Sequence, residues 1–202
     1  MSGRGRFIVF EGGDGCGKTT QAARLADRLG ALHTRQPGGT PIGAMIRQIL
    51  LDPAHHELDD RAEALLYAAD KAQHVHQLIA PALAAGRDVV CDRYVASSVV
   101  YQGHGRGLDV AHLEELLRWA TAGVEPDLVV LLEVPEAVMH ERLGAVRDRL
   151  EALPADFHAR VRDGFRAMAD RHPDRWVTVD ATGTVDDVAT LVAAAVEARW
   201  PA

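Results

Sequence analysis

A glycine-rich segment near the N-terminus constrains the fold of this chain most. Residues 12–19 read GGDGCGKT and fit the pattern G-x-x-x-x-G-K-[ST]. A short apolar run at residues 7–10 precedes the segment, and residues 22–29 place apolar side chains at helical spacing after it. A strand, a glycine loop and a helix in this order gather backbone N–H groups at a helix N-terminus, where they bind phosphate. The segment therefore predicts a phosphate-binding loop.

Further apolar runs at residues 88–91, 128–134 and 176–179 read as buried strands, and helical patterns lie between them. Nearly continuous apolar strands that alternate with helices predict an α/β domain with a parallel sheet covered on both faces. We expect one domain over residues 1–202, because we find no repeat or linker. A capping box of Asp60 and Glu63 is expected to begin a long helix that runs to about residue 85 and kinks near Pro81.

Composition narrows the class of protein. The net charge is −7, from 22 basic and 29 acidic side chains, and no basic tract is present, which argues against a nucleic-acid surface. No apolar run approaches the roughly 18 residues that a membrane span needs, and the first six residues lack the apolar core of a signal peptide. Cys16 and Cys91 lie too far apart in sequence to suggest a disulfide or metal framework. We expect a cytoplasmic protein without a membrane or nucleic-acid partner.

The glycine loop predicts a site for a nucleoside triphosphate. Lys18 would reach the outer phosphates, and the hydroxyl of Thr19 would bind Mg²⁺. Cys16 is either a thiol with a lowered pKa or a small residue that fills a tight loop, and we favour the second. The residues expected to contact the donor nucleotide here are Gly12, Gly13, Asp14, Gly15, Cys16, Gly17, Lys18, Thr19 and Thr20.

A second group of polar residues follows the strand at 88–91. Asp92 stands at the strand end, where a carboxylate can hold a Mg²⁺-bound water. Arg93 suits a second phosphate through bidentate pairing. The alternative is a simple surface ion pair between Asp92 and Arg93. An ATPase or a nucleotide switch would also use Asp92, but a protein of either kind has no evident need for Arg93. The residues able to read a sugar and a base are Ser97, Ser98, Tyr101 and Gln102.

Taken together, these motifs resemble the thymidylate kinases, a family of P-loop nucleoside monophosphate kinases. The matching segments are FEGGDGCGKTTQ, TRQPGGTPIG, LLYAADKAQHV, DRYVASSVVYQG, PDLVVLLEVP, DRLE, FHARVRDGF and VDAT, and they run from residue 7 to about 192. The resemblance implies a three-layer P-loop NTPase-type fold with about five parallel strands, transfer of the ATP γ-phosphoryl group to dTMP with Mg²⁺, and a homodimer. A kinase for another nucleoside monophosphate or a deoxynucleoside remains an alternative, and so does a P-loop ATPase or switch.

The resemblance also implies roles in the acceptor pocket. Asp14 would contact the 3′-hydroxyl of the acceptor sugar, and Arg93 would bind the acceptor phosphate. Tyr67 would lie against thymine, where the family more often has Phe. Lys71 stands where the family usually has an arginine that reaches the base carbonyl. The planar guanidinium of that arginine, with its several N–H donors, is thus replaced by a single ammonium group.

Other departures and pocket positions follow from the same resemblance. Ser97, Ser98 and Gln102 would line the pocket, and Tyr101 would crowd the 2′ position and favour deoxyribose. Gln36 replaces a glutamate that is common in the family.

A lid over about residues 144–155 is expected, because transfer to an acceptor requires that water be excluded. The glycine loop has no arginine, which resembles the bacterial arrangement in which the lid supplies the catalytic one. Arg149 is the first candidate and Arg147 the second, to act with Lys18 and Arg93; the alternative is a solvated charged helix. Arg142 would stack on adenine, and Ala181 would edge the adenine pocket.

Overall fold

A five-stranded parallel sheet forms the centre of the protein, which we describe from a computed structural model over residues 3–142 and 148–200. The strand order is β2-β3-β1-β4-β5, and all four pairings are parallel. The strands are β1 (Phe7–Glu11), β2 (Leu32–Arg35), β3 (Val89–Asp92), β4 (Leu128–Glu133) and β5 (Trp176–Asp180).

Helices connect these strands and cover both faces of the sheet. Two π-helical segments, Val75–Ile79 and Val99–Gly105, continue α3 and α5 respectively. The α-helices are α1 (Lys18–Leu29), α2 (Pro41–Leu51), α3 (Asp60–His74), α4 (Ala80–Ala84), α5 (Val95–Ser98), α6 (Val110–Ala120), α7 (Glu136–Arg142), α8 (Ala155–Arg171) and α9 (Val185–Arg199).

The central strand β1 is buried at every position, because both of its faces meet apolar layers. Ile8 and Phe10 pack with side chains of α1 and α9 on one face. Phe7 and Val9 pack on the other face with Val75 and Ile79 of the first π-helical segment. This two-sided burial accounts for the unbroken apolar runs in the sequence, and it confirms the predicted parallel sheet.

Helix ends agree in part with the expected caps. Thr184 and Asp187 form a capping box at the start of α9, and Gly30 ends α1 with a φ of 61°. The expected capping box of Asp60 and Glu63 is wrong. Asp59 caps α3 instead, accepting hydrogen bonds from the backbone N–H groups of Arg61 and Ala62, while Glu63 is fully buried.

Strand β2 was not expected from the sequence. It lies at the edge of the sheet and reads LHTR, with only Thr34 fully buried. An edge strand of four residues without an apolar run carries no periodic signal. In the described part of the chain no helix has the length and apolarity needed to cross a membrane.

Candidate active site

A cleft of about 720 Å³ opens at the carboxyl ends of β1 and β3, where the glycine loop and the segment after Asp92 meet. This is the edge at which parallel α/β sheets bind their ligands. The cleft is lined by the predicted donor residues Asp14, Gly15, Cys16, Gly17, Lys18, Thr19, Thr20, Arg142 and Ala181, and by the predicted acceptor residues Tyr67, Lys71, Arg93, Ser97, Ser98, Tyr101 and Gln102.

The glycine loop is shaped by close backbone contacts. A side chain at Gly12, whose φ is 140°, would place its Cβ 2.5 Å from the carbonyl oxygen of Leu132. Gly17 caps α1 in the left-handed region, with a φ of 94°. The ammonium of Lys18 donates a hydrogen bond to the carbonyl of Gly13 at 2.6 Å, so the side chain lies over the loop. Cys16 is buried and packs within the core cluster beside β1, which fits the small-residue interpretation.

Thr19 and Asp92 lie together at the mouth of the loop. The Thr19 hydroxyl donates to Oδ2 of Asp92 at 2.5 Å. The other carboxylate oxygen, Oδ1, is buried and has no partner among the described residues. An unpartnered carboxylate oxygen beside a threonine hydroxyl is the oxygen donor set that Mg²⁺ prefers.

Arg93 links the glycine loop to the second polar group. Its guanidinium donates to the carbonyl of Gly12 and to Ser97 Oγ, each at 3.0 Å, and forms an ion pair with Asp14. Tyr101 donates to the other oxygen of Asp14 at 2.8 Å. Arg93 thus pairs with Asp14 across the cleft rather than with its sequence neighbour Asp92.

The ion pair between Arg93 and Asp14 lies in a partly buried site, where its charges strongly affect each other. Burial acts to raise the pKa of Asp14, but the charges of Arg93 and Lys18 outweigh it and lower this pKa to about 2. Arg93 has a backbone φ of 68°, which is uncommon outside glycine, and its N–H donates to the carbonyl of Phe10 at 2.9 Å. The guanidinium is therefore held by both its backbone and its side-chain partners.

One face of α3 forms the wall opposite the glycine loop. Tyr67 and Lys71 are four residues apart, so they stand one turn apart on the same face, and the Lys71 ammonium lies 5.3 Å from the centre of the Tyr67 ring. Lys71 is only 1% exposed, and this burial lowers its pKa to about 8. Ser98 Oγ and Gln102 Oε1 are buried without partners in the described structure.

A buried hydrogen-bond chain behind this wall was missed by the sequence analysis. Gln36 lines the cleft, and its Nε2 contacts Nδ1 of His74 at 3.0 Å. The other ring nitrogen of His74 contacts the Thr34 hydroxyl at 2.7 Å. Since an amide N–H only donates, Nδ1 accepts and His74 is neutral. Burial first and the charge of Lys71 second lower the pKa of His74 to about 4.

The lid region divides into a described and an undescribed part. Arg142 donates to the carbonyl of Ala181 at 3.0 Å, so the structure brings the two expected adenine-pocket residues together. Residues 143–147, with the candidate Arg147, lie outside the described residues.

Arg149 does not line the cleft. Its guanidinium donates to Oε2 of buried Glu63 and, at 2.8 Å, to the carbonyl of Leu50. These contacts describe the protein without its substrates, and the catalytic role expected of Arg149 stays a prediction.

Comparisons with known proteins identify the family of this chain. The family model described as Thymidylate kinase matches residues 10–192. A thymidylate kinase of Pelotomaculum thermopropionicum is 49% identical over 187 residues, covering 89% of this chain and 87% of that protein. A thymidylate kinase of Synechococcus sp. is 48% identical over 202 residues, covering 96% of both chains.

A solved structure shows the same fold. The crystal structure of thymidylate kinase from Ehrlichia chaffeensis superposes with a TM-score of 0.80 at 28% sequence identity, covering 96% of this chain and 99% of that one. With a family model that matches nearly the whole chain and relatives of almost half identity, the chain belongs to the thymidylate kinase family of phosphotransferases.

Proposed function

We propose that this protein transfers the γ-phosphoryl group of ATP to dTMP, as a step of dTTP synthesis. The observation that carries the proposal is the bridge from Asp14 in the glycine loop to Arg93 and Tyr101 on the far wall. Two groups able to bind phosphate, the backbone N–H groups of the glycine loop and the partly buried guanidinium of Arg93, share a single cleft. That arrangement suits the alignment of a donor and an acceptor phosphate.

On the donor side, the N–H groups of the glycine loop hold the ATP phosphates. Lys18 leaves the carbonyl of Gly13 to contact the outer phosphates. Thr19 and Asp92 would hold Mg²⁺, with Asp92 acting through water, and the ion would supply positive charge to the phosphates. Arg142 and Ala181 border the adenine pocket.

On the acceptor side, Arg93 binds the dTMP phosphate, and Asp14 accepts a hydrogen bond from the sugar 3′-hydroxyl. Tyr67 packs against the thymine ring, and Lys71 donates to a base carbonyl. Ser97 and Ser98 border the sugar and base, and Gln102 presents an unpartnered oxygen to the pocket. Tyr101 occupies the space next to the sugar 2′ position.

The lid is proposed from the sequence, over about residues 144–155. Its candidate arginines for the transition state are Arg149 first and Arg147 second, and the guanidinium of Arg149 pairs with Glu63 in this structure. Closure of the lid would exclude water, which would otherwise accept the phosphoryl group.

We further propose that the protein is a homodimer in the cytoplasm. Large apolar side chains are exposed on three consecutively packed helices, α2, α3 and α6. An exposed apolar surface of this kind is typical of a protein–protein interface. The exposed residues are Ile42, Met45 and Ile49 on α2, Leu65 on α3 and Trp119 on α6.

A coupled assay with ATP and dTMP, dUMP, UMP, CMP, GMP or AMP, and with ATP alone, tests the proposal. We expect dTMP to have the highest kcat/KM and ATP alone to be hydrolysed slowly. A better acceptor than dTMP would assign the enzyme to another nucleoside monophosphate. Rapid hydrolysis without any acceptor would favour an ATPase or a switch.

A further inference from the structure

Glu63 is a fully buried carboxylate that no role described so far uses. Its oxygens accept hydrogen bonds from three side chains, those of Gln102, Arg106 and Arg149. Oε1 accepts from Gln102 Nε2 at 2.9 Å and from Arg106 Nε at 3.2 Å. Oε2 accepts from Arg106 Nη2 at 2.9 Å and from Arg149.

The contact with Glu63 fixes the orientation of the Gln102 amide. An ionised carboxylate only accepts hydrogen bonds, so the amide must turn its NH₂ group towards Glu63. The amide oxygen then points away from Glu63. That oxygen is buried, has no partner among the described residues, and belongs to a residue that lines the cleft.

The two arginines keep Glu63 ionised. Burial alone would raise the pKa of Glu63, but hydrogen bonds from Arg106, Gln102 and Arg149 outweigh burial and hold this pKa below its ordinary value. Arg106 is itself fixed by Asp60 at 3.2 Å and lies over the ring of Phe157. The carboxylate is therefore a permanent acceptor at neutral pH.

Glu63 also lies next to Tyr67 and Lys71, the two residues of α3 that are proposed to contact the base. Glu63, Tyr67 and Lys71 follow each other at intervals of four residues along α3 and share one face. Gln102 is thus hydrogen-bonded to a residue that lies one helical turn before Tyr67, whose ring is proposed to pack against the base. The amide oxygen of Gln102 can accept a hydrogen bond from an N–H group of the base. It repels a base that presents the lone pair of an unprotonated ring nitrogen at the same place.

We propose that Glu63 is a specificity-determining positioning residue, which orients Gln102 so that its amide oxygen accepts the imide N–H of a thymine-type base. This inference rests on the proposed function and extends it. A cytosine ring has an unprotonated nitrogen at the same position, so the oriented oxygen disfavours dCMP. Arg149 and Arg106 support this orientation without contacting the acceptor.

Replacement Glu63→Gln tests the inference. The new amide can donate to the oxygen of Gln102, which lets the Gln102 amide turn over and present its NH₂ group to the cleft. We expect the ratio of kcat/KM for dTMP to kcat/KM for dCMP to fall at least about tenfold. Where dCMP turnover is too slow to measure, the ratio of dissociation constants replaces it.

Two variants distinguish an effect on the orientation of the Gln102 amide from a nonspecific effect of substitution on the protein. Glu63→Asp keeps the charge but shortens the side chain, and we expect it to retain the selectivity of the wild type within about threefold. Glu115→Gln, on the exposed side of α6, is the matched surface control. If Glu63→Gln does not fold, the same ratio is measured in Glu63→Gln combined with Arg149→Met, which removes one of the two cations beside residue 63.

The outcomes decide the inference separately from the proposed function. A folded Glu63→Gln variant that stays as selective as the wild type would overturn the inference, and so would a Glu63→Asp variant with the same loss of selectivity as Glu63→Gln. A wild-type enzyme that used dCMP as well as dTMP would contradict the proposed function itself.

Discussion

Arg93 and Asp14 form a partly buried ion pair that joins the end of β3 to the glycine loop. Tyr101 completes the bridge by donating to Asp14 at 2.8 Å. The pair places an acceptor-side guanidinium within the same hydrogen-bonded unit as the loop that is expected to hold the donor. Donor and acceptor phosphates would therefore be aligned by one unit rather than by two independent walls.

Arg93→Lys should raise the KM for dTMP far more than the KM for ATP. A lysine cannot reproduce the contacts of the guanidinium with Gly12, Ser97 and Asp14 together, and it offers the acceptor phosphate one point donor. We expect kcat/KM for dTMP to fall about a hundredfold. Steady-state kinetics check this, with the exposed Arg118→Lys as control; an unchanged KM for dTMP would contradict the role of Arg93.

Lys18→Ala should lower kcat at least about a hundredfold while dTMP binding remains within about threefold. The ammonium lies over the glycine loop and would neutralise charge that develops on the transferred group. Single-turnover rates and calorimetric titration with dTMP separate the two effects. Turnover close to that of the wild type would exclude this role for Lys18.

The fold should lose stability below pH 6.5 because of His74. Its pKa is about 4 in the folded protein against 6.5 for an ordinary histidine, so the unfolded chain binds the proton first. The stabilisation is complete above pH 6.5 and is lost as the pH falls towards 4. We expect about 2 kcal/mol of loss from this group between pH 7 and pH 5.

Urea unfolding at both pH values measures this loss. His74→Gln, which can still accept from Gln36 and donate to Thr34, should remove most of the pH dependence, whereas the exposed His33→Gln should keep it. An equal pH dependence in wild type and His74→Gln would show that His74 is not the group responsible.

The kcat/KM for dTMP should fall above about pH 8 because Lys71 loses its proton. Burial holds the pKa of Lys71 near this value, so its ammonium loses a proton at higher pH and no longer donates as a cation to the base carbonyl. We expect kcat/KM for dTMP to decline above about pH 8 in the wild type. Lys71→Arg should move the decline to higher pH. Ionisation of dTMP itself affects both proteins equally, so a difference between the two profiles reports on residue 71. Identical profiles would contradict the prediction.

Trp119→Glu should convert a dimer to monomers. Trp119 is 80% exposed, and a carboxylate placed in an apolar interface loses its hydration without gaining a partner. Light scattering after gel filtration measures the mass. Leu191→Glu on α9 is the matched control, because Leu191 is exposed on a helix outside the proposed interface. Loss of the dimer in both variants would argue against a specific surface.

The sequence predicted the elements whose residues are buried on both sides. Strands β1, β3, β4 and β5 carry apolar runs, and the glycine pattern located the loop after β1. Strand β2 carries no such run, because an edge strand exposes alternate residues. Its position depends on pairing with β3, which no local pattern encodes.

The candidate site was predictable where a residue's role depends on its own chemistry. Lys18, Thr19 and Asp92 belong to this group, and the structure places all three on the cleft. Glu63 and His74 were not recognised, since their roles depend on partners 39 and 38 residues away, Gln102 and Gln36 respectively. The contact of Arg149 with Glu63 was not expected for the same reason, because the two residues are 86 residues apart.

The regular spacing of Glu63, Tyr67 and Lys71 along α3 has a practical consequence for enzyme engineering. In the proposed assignment, Tyr67 and Lys71 contact the base from one face of α3 and Glu63 of the same face orients Gln102, whereas the proposed ATP-binding residues lie mainly in the glycine loop after β1. Libraries randomised at these three positions and at Gln102 would explore new acceptor bases while the ATP-handling half stayed constant.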